Sequence, residues 1–183
     1  MLRTSSPVGF PPALAFPQQQ DEVLSGALVG VHMGYYAAYL ACQAVVKGLK
    51  MTKRLFIGGH SMGAALAQIC ALDMASSSPV LYASASPRVG DPRFAQALRT
   101  QVPNSFNIAN TEDPIPQSVW AVEPGLGSSS TYATSCNFLL RFSAPTARRL
   151  LAHKLGVYRA GVRGLAKGCG LWAVPPKGYD SVG

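Results

Sequence analysis

The stretch FIGGHSMGAALAQ, residues 56–68, decides how the chain is read. It sets Ser61 between Gly59 and Gly63, directly after the apolar run Leu55, Phe56 and Ile57 and directly before an alanine-rich helical pattern. Apolar run, tight turn and helix are what a strand-to-helix nucleophile turn requires. Such a turn exposes the serine at its apex, and glycines two residues before and after let neighbouring backbones approach. The same turn aims the N–H groups of the helix start at the serine oxygen, where they can stabilise an oxyanion. The N–H of Met62 is the donor this predicts.

Outward from Ser61 the pattern alternates. Residues 33–49 read as a helix, 55–60 as a buried strand, 62–76 as a helix and 80–86 as a strand. Asp91 is expected to N-cap a helix that has Pro92 at its first position and runs to about Thr100. Residues 105–109 and 131–142 read as further strands, and a helix from about Thr146 carries the chain past His153. Strands alternating with helices predict an α/β fold, a mainly parallel sheet with helices on both faces. Residues 1–167 are expected to form one domain, and 168–183 a flexible tail.

Composition agrees with one core. The chain has 183 residues, 48% of them hydrophobic, enough for a single globular domain. Its formal net charge is +8, and after Glu123 eight basic residues face one acid, Asp180. That half is expected to be drawn to anionic surfaces. No zinc-finger spacing or aromatic strand signature accompanies it, so no nucleic-acid partner is expected. The cysteines 42, 70, 136 and 169 form no CxxC pair, and Cys42 and Cys70 read as small buried hydrophobes in helical runs. No metal or cofactor site is proposed. The N-terminal segment is broken by four prolines and makes a poor secretory signal, which favours an intracellular location. The uncharged run from Val23 to Val46 is long enough to span a bilayer, but His32, Gln43 and three glycines favour a buried helix.

A serine nucleophile needs a base, and the chain has three histidines. In an α/β-hydrolase the triad follows the chain order serine, acid, histidine, which excludes His32. His60 adjoins Ser61 and is expected to point away from it, leaving His153. Five acids lie between Ser61 and His153: Asp73, Asp91, Glu112, Asp113 and Glu123. Asp73 falls inside the helix after the turn and Asp91 is a cap. Asp113 follows a strand at the carboxyl edge of the sheet and is preferred over Glu112.

Five blocks, the serine turn among them, carry a resemblance. VHMGYYAAY (31–39), GGHSMGAALA (58–67), SPRVGDPRFA (86–95), NTEDPIP (110–116) and HKLGVY (153–158) together resemble the class 3 lipases of the fungal triacylglycerol lipase type, also seen in plant phospholipases. The resemblance implies an α/β-hydrolase fold, a lipid ester substrate, and Ser61, Asp113 and His153 as nucleophile, acid and base. It also implies a second oxyanion donor from an F-R-G-[ST] block, of which Leu2, Arg3 and Thr4 are the nearest counterpart, with Thr4 as donor. The family's further N-terminal strands have no counterpart here, so the chain reads as either an N-terminally truncated domain or a degenerate enzyme. The alternative reading is a lipase-like protein with weak or no catalysis that binds lipid or signals; a third is a membrane-anchored basic protein. Arg159, Arg163 and Lys167 recur on one helical face, predicting peripheral contact with an anionic membrane.

Overall fold

The computed structural model describes residues 19–49, 54–117, 135–146 and 149–168. A β-hairpin, β1 (Gln19–Leu24) and β2 (Ala27–His32), leads into α1 (Met33–Lys47). Then come β3 (Phe56–His60), α2 (Met62–Asp73), β4 (Val80–Ser84), α3 (Pro92–Gln101), β5 (Ser105–Asn110), β6 (Phe138–Phe142) and α4 (Leu155–Gly168). Strands β3, β4, β5 and β6 form a four-stranded parallel sheet in that spatial order. The expected α/β architecture is therefore present.

The two faces of the sheet differ. Leu81 and Ala83 of β4 are fully buried on the side covered by α2, whose Ala64, Ala65, Ala71 and Leu72 are solvent-free. Alanine at these positions lets the helix axis approach the sheet closely. The opposite face carries stacked rings from neighbouring strands, Tyr82 on Phe106 at 5.1 Å and Phe106 on Phe138 at 4.9 Å. Only its C-terminal end is covered by a described helix: Phe142 meets Tyr158 of α4 edge-on, and Gly161 lies against the Phe142 ring. A Cβ on Gly161 would fall 2.4 Å from that ring, so the glycine that weakens α4 also lets it dock.

The structure corrects several expectations. The uncharged run 23–46 is not one helix; its first part is the hairpin, turned by Ser25 and Gly26 with φ of 49° and 79°. Positive φ at both central residues gives a turn whose twist matches the paired strands. No helix among the described residues is long and apolar enough to cross a membrane. The hairpin is tied to α3 through Asp91, which caps Phe94 N–H at 2.8 Å as expected and also accepts from Gly30 N–H at 3.2 Å. Strand β6 begins at Phe138, because the Asn137 amide turns back to the Arg99 carbonyl and its N–H to Ser105. Residues 131–134 of the expected strand lie outside the described ones. Gly168 belongs to α4 rather than to the expected tail. Cys70 and Cys136 are buried, with burial pushing their thiols up to about 11 and about 12, whereas Cys42 is exposed, contrary to expectation.

The helix expected to run unbroken past His153 is interrupted. A 3-10 turn, Arg149–His153, precedes α4, which starts from the Lys154 carbonyl. The carbonyls of Ala152 and His153 accept from the side chains of Asn110 and His60. They are drawn sideways toward the sheet.

Candidate active site

Ser61 follows the last residue of β3 and precedes the first of α2, with φ 59° and ψ −127°. A non-glycine residue in this region stores on the order of 1–3 kcal/mol of strain, which the surrounding structure must hold. Holding it are the Ser61 N–H, bonded to the Ser84 carbonyl at 3.0 Å, and the Ser61 carbonyl, which accepts from Ala64 N–H at 2.9 Å. The two flanking glycines are not equivalent. A Cβ on Gly59 would lie 2.1 Å from the Gly63 carbonyl oxygen, whereas one on Gly63 would meet nothing within 4 Å. Gly59 alone permits the close approach of strand end and helix start.

The fold brings Asp113 and His153 to this turn. Asp113 stands just beyond β5, at the same carboxyl edge of the sheet as Ser61, and is 1% exposed. The His153 Nε2 lies 2.7 Å from Ser61 Oγ, and its Nδ1 lies 2.8 Å from Asp113 Oδ2. A carboxylate only accepts, so Nδ1 carries the proton and Nε2 accepts from the serine hydroxyl. Glu112, the competing acid, is directed elsewhere: its carboxylate accepts from Thr111 and Ser143 hydroxyls.

Three residues that the sequence reading left without a site role support this line. Tyr158 donates its hydroxyl to Asp113 Oδ2 at 2.7 Å and accepts from Asn110 N–H at 3.1 Å, while Ile115 N–H satisfies Asp113 Oδ1 at 2.9 Å. Burial and the adjacent carboxylate push the Tyr158 phenol up, so it stays a donor. The Asn110 side chain joins three segments, donating to the Ala144 and Ala152 carbonyls and accepting from Ala144 N–H. His60 turns from Ser61, as expected, to Ser84 and the His153 carbonyl. Spacing held the signal for two of them: Asn110 is three residues before Asp113 and Tyr158 is five after His153.

Met62 begins α2, so its N–H is among the helix donors with no intrahelical acceptor, and it adjoins Ser61. Thr4, the expected second donor, lies outside the described residues.

The Lipase (class 3) family model matches residues 12–122, more than half of the chain. The chain is 35% identical over 95 residues to secreted mono- and diacylglycerol lipase A of Penicillium cyclopium, covering 46% of this chain and 31% of that protein. It is 32% identical over 128 residues to a lipase of Rhizomucor miehei, covering 62% of this chain and 31% of that protein. It thus spans about a third of the length of these curated relatives. Among solved structures it resembles the mono- and diacylglycerol lipase from Aspergillus oryzae, with TM-score 0.52 and 25% identity over 63% of this chain and 46% of that one. Family match, parallel sheet and serine turn agree: the chain belongs to the class 3 lipase family, with an α/β-hydrolase fold.

Proposed function

We propose that the chain is a serine hydrolase that cleaves carboxylic esters of lipids through an acyl-enzyme, with Ser61 as nucleophile, His153 as base and Asp113 as the acid that orients it. The observation that carries the reading is the continuous relay from Ser61 Oγ through both His153 nitrogens to Asp113 Oδ2, at 2.7 and 2.8 Å. As Oγ attacks the ester carbonyl carbon, His153 Nε2 takes its proton, and the buried Asp113 stabilises the imidazolium. The developing oxyanion is held by Met62 N–H and, in this proposal, by Thr4. His153 then gives the proton to the departing alkoxide, leaving an acyl ester on Ser61. Water enters by the same base catalysis and releases the acid.

Lipid rather than soluble ester is favoured by the relatives, and by the exposed apolar side chains that adjoin the reacting residues in sequence. Met62 is 57% and Leu155 52% exposed. Acylglycerols with one or two chains are the first substrates to assay, since the Penicillium and Aspergillus relatives bear those names; triacylglycerol and phospholipid follow. The test is hydrolysis of a short-chain p-nitrophenyl ester and of monoolein by the chain, Ser61→Ala and His153→Ala. Each variant should lose activity by at least about 1000-fold, and the double variant should lose no more than either alone, because the relay acts as a unit. Full activity in Ser61→Ala would sink the proposal.

A further inference from the structure

His153 is held by its backbone as well as by its ring. Its carbonyl oxygen lies 2.8 Å from His60 Nε2, and the preceding carbonyl, of Ala152, lies 3.3 Å from the Asn110 amide. Two strands, β3 and β5, thus grip the last residues of the 3-10 turn. We infer that His60 is a positioning residue for the base: from the residue immediately before Ser61 it holds the His153 carbonyl and so sets the reach of the imidazole to the nucleophile. The inference rests on the Ser61–His153–Asp113 reading.

A carbonyl oxygen only accepts, so Nε2 of His60 carries a hydrogen in every state of the contact. Nδ1 lies 3.1 Å from Ser84 Oγ, and that hydroxyl also lies 3.2 Å from the Gly59 carbonyl. The Ser84 hydroxyl therefore has an acceptor whether or not Nδ1 is protonated. The ring is wedged 5.0 Å from the His153 ring and meets Tyr158 edge-on at 5.3 Å. The groups facing it are thus the proposed base, the phenol that holds Asp113, and Ser84. Burial holds His60 below the usual histidine range, and the nearby His153 adds to this, while the His153 carbonyl and Asp113 oppose it. A neutral His60 suits the step in which His153 becomes a cation, because a second cation at this distance would oppose proton transfer.

The geometry concentrates the consequence on turnover. A shift of about 1 Å between reacting groups costs on the order of 100-fold in rate without requiring a change in substrate contact. Loss of the His60 hydrogen bond leaves the segment anchored at Ala152 but releases the carbonyl of the base itself.

The experiment compares His60→Gln, His60→Asn and His60→Leu in the full chain. The glutamine amide nitrogen can reach the position of Nε2 and donate; asparagine is one bond too short, and leucine donates nothing. Folding is checked by circular dichroism. The readouts are kcat and KM on a short-chain p-nitrophenyl ester, and the low-field proton resonance of the His153 Nδ1–H hydrogen bond. The expected result is kcat down by roughly 10- to 100-fold in the leucine and asparagine variants with KM within about twofold, recovered to within about threefold in the glutamine variant. The low-field resonance should be kept in His60→Gln and broadened or lost in the other two. Should His60→Leu not fold, the glutamine and asparagine pair decides. Equal kcat and an equal resonance in glutamine and asparagine variants would overturn the inference. If the unmodified chain hydrolyses nothing, the functional proposal fails by itself, and the resonance still tests the His60 contact.

Discussion

Tyr158 Oη lies 2.7 Å from Asp113 Oδ2, the same carboxylate oxygen that receives His153 Nδ1 at 2.8 Å. One buried oxygen therefore takes two hydrogen bonds, one from the proposed base and one from the first turns of α4. Tyr158→Phe keeps the ring, and with it the edge contact to Phe142. It removes a donor from Asp113 and an acceptor from Asn110 N–H, both buried. Stability should fall by about 1–3 kcal/mol, as when buried partners are left unsatisfied, and kcat by about tenfold as Asp113 gains freedom. Urea unfolding together with initial rates checks both. Unchanged values in both would show that the phenol is a bystander.

The strained turn makes an asymmetric prediction. Gly59→Ala would place a methyl 2.1 Å from the Gly63 carbonyl oxygen and should prevent the turn from forming, with loss of activity and of several degrees in Tm. Gly63→Ala meets open space at a helical position, where alanine is favoured by up to about 1 kcal/mol over glycine. It should be neutral or mildly stabilising, as a thermal melt and an esterase assay would reveal. Equal damage from both would contradict the packing described for this turn.

His32 gives the fold a pH dependence. Its Nδ1 accepts from Gly34 and Tyr35 N–H at 3.1 and 3.4 Å, capping α1, and burial lowers its pKa from 6.5. Only the neutral ring can accept there. A folded-state pKa below the unfolded one means that the stabilisation is fully present above about pH 6.5 and is lost as pH falls through the lower folded value. His60, lowered for the same chief reason, adds in the same direction. His32→Asn replaces the ring by a non-titrating cap and should flatten the Tm-against-pH curve between pH 5 and 7. A variant curve parallel to the original would remove His32 from the account.

A fourth prediction concerns α4. Arg159 and Lys167 are exposed on it, and so are Leu155 and Val162, while Tyr158 is buried. We propose that this helix contacts anionic lipid surfaces. Vesicles containing phosphatidylserine should bind the chain, less so at 0.5 M salt, and Arg159→Gln with Lys167→Gln should weaken that binding. Equal binding to neutral vesicles at every salt concentration would rule it out.

Much of the site is written in local sequence. The serine turn, the Asp91 cap and the strands on either side depend on neighbours within a few residues, and they appear where the pattern places them. The hairpin β1–β2 was hidden because β2 and the end of β1 sit inside a long uncharged run whose apolar character outweighs the Ser25-Gly26 turn signal, and because β1 opens on the polar residues Gln19, Gln20, Asp21 and Glu22. The break at Lys154 coincides with two long-range hydrogen bonds. Asn110 and His60, which make them, are 42 and 93 residues from the carbonyls they hold. Such distant hydrogen bonds override a helical pattern, and single-sequence periodicity contains no trace of them. Asp113 and Glu112 both follow β5, and only the folded chain directs them apart, Asp113 to His153 Nδ1 and Glu112 to the Thr111 and Ser143 hydroxyls. Tyr158 carries a spacing signal, five residues after His153, but its partner Asp113 is set by α4 folding back over β6.

The reactivity of one oxygen, Ser61 Oγ, decides the proposed chemistry most directly. Incubating the chain with a fluorophosphonate and locating the adduct by peptide mass spectrometry measures it without reference to any natural substrate. The relay predicts a single adduct, on Ser61, formed at a rate that falls at least about 100-fold in His153→Ala, since the hydroxyl then has no base. No adduct on Ser61, or one that forms equally fast without His153, would contradict the proposal that these residues act together.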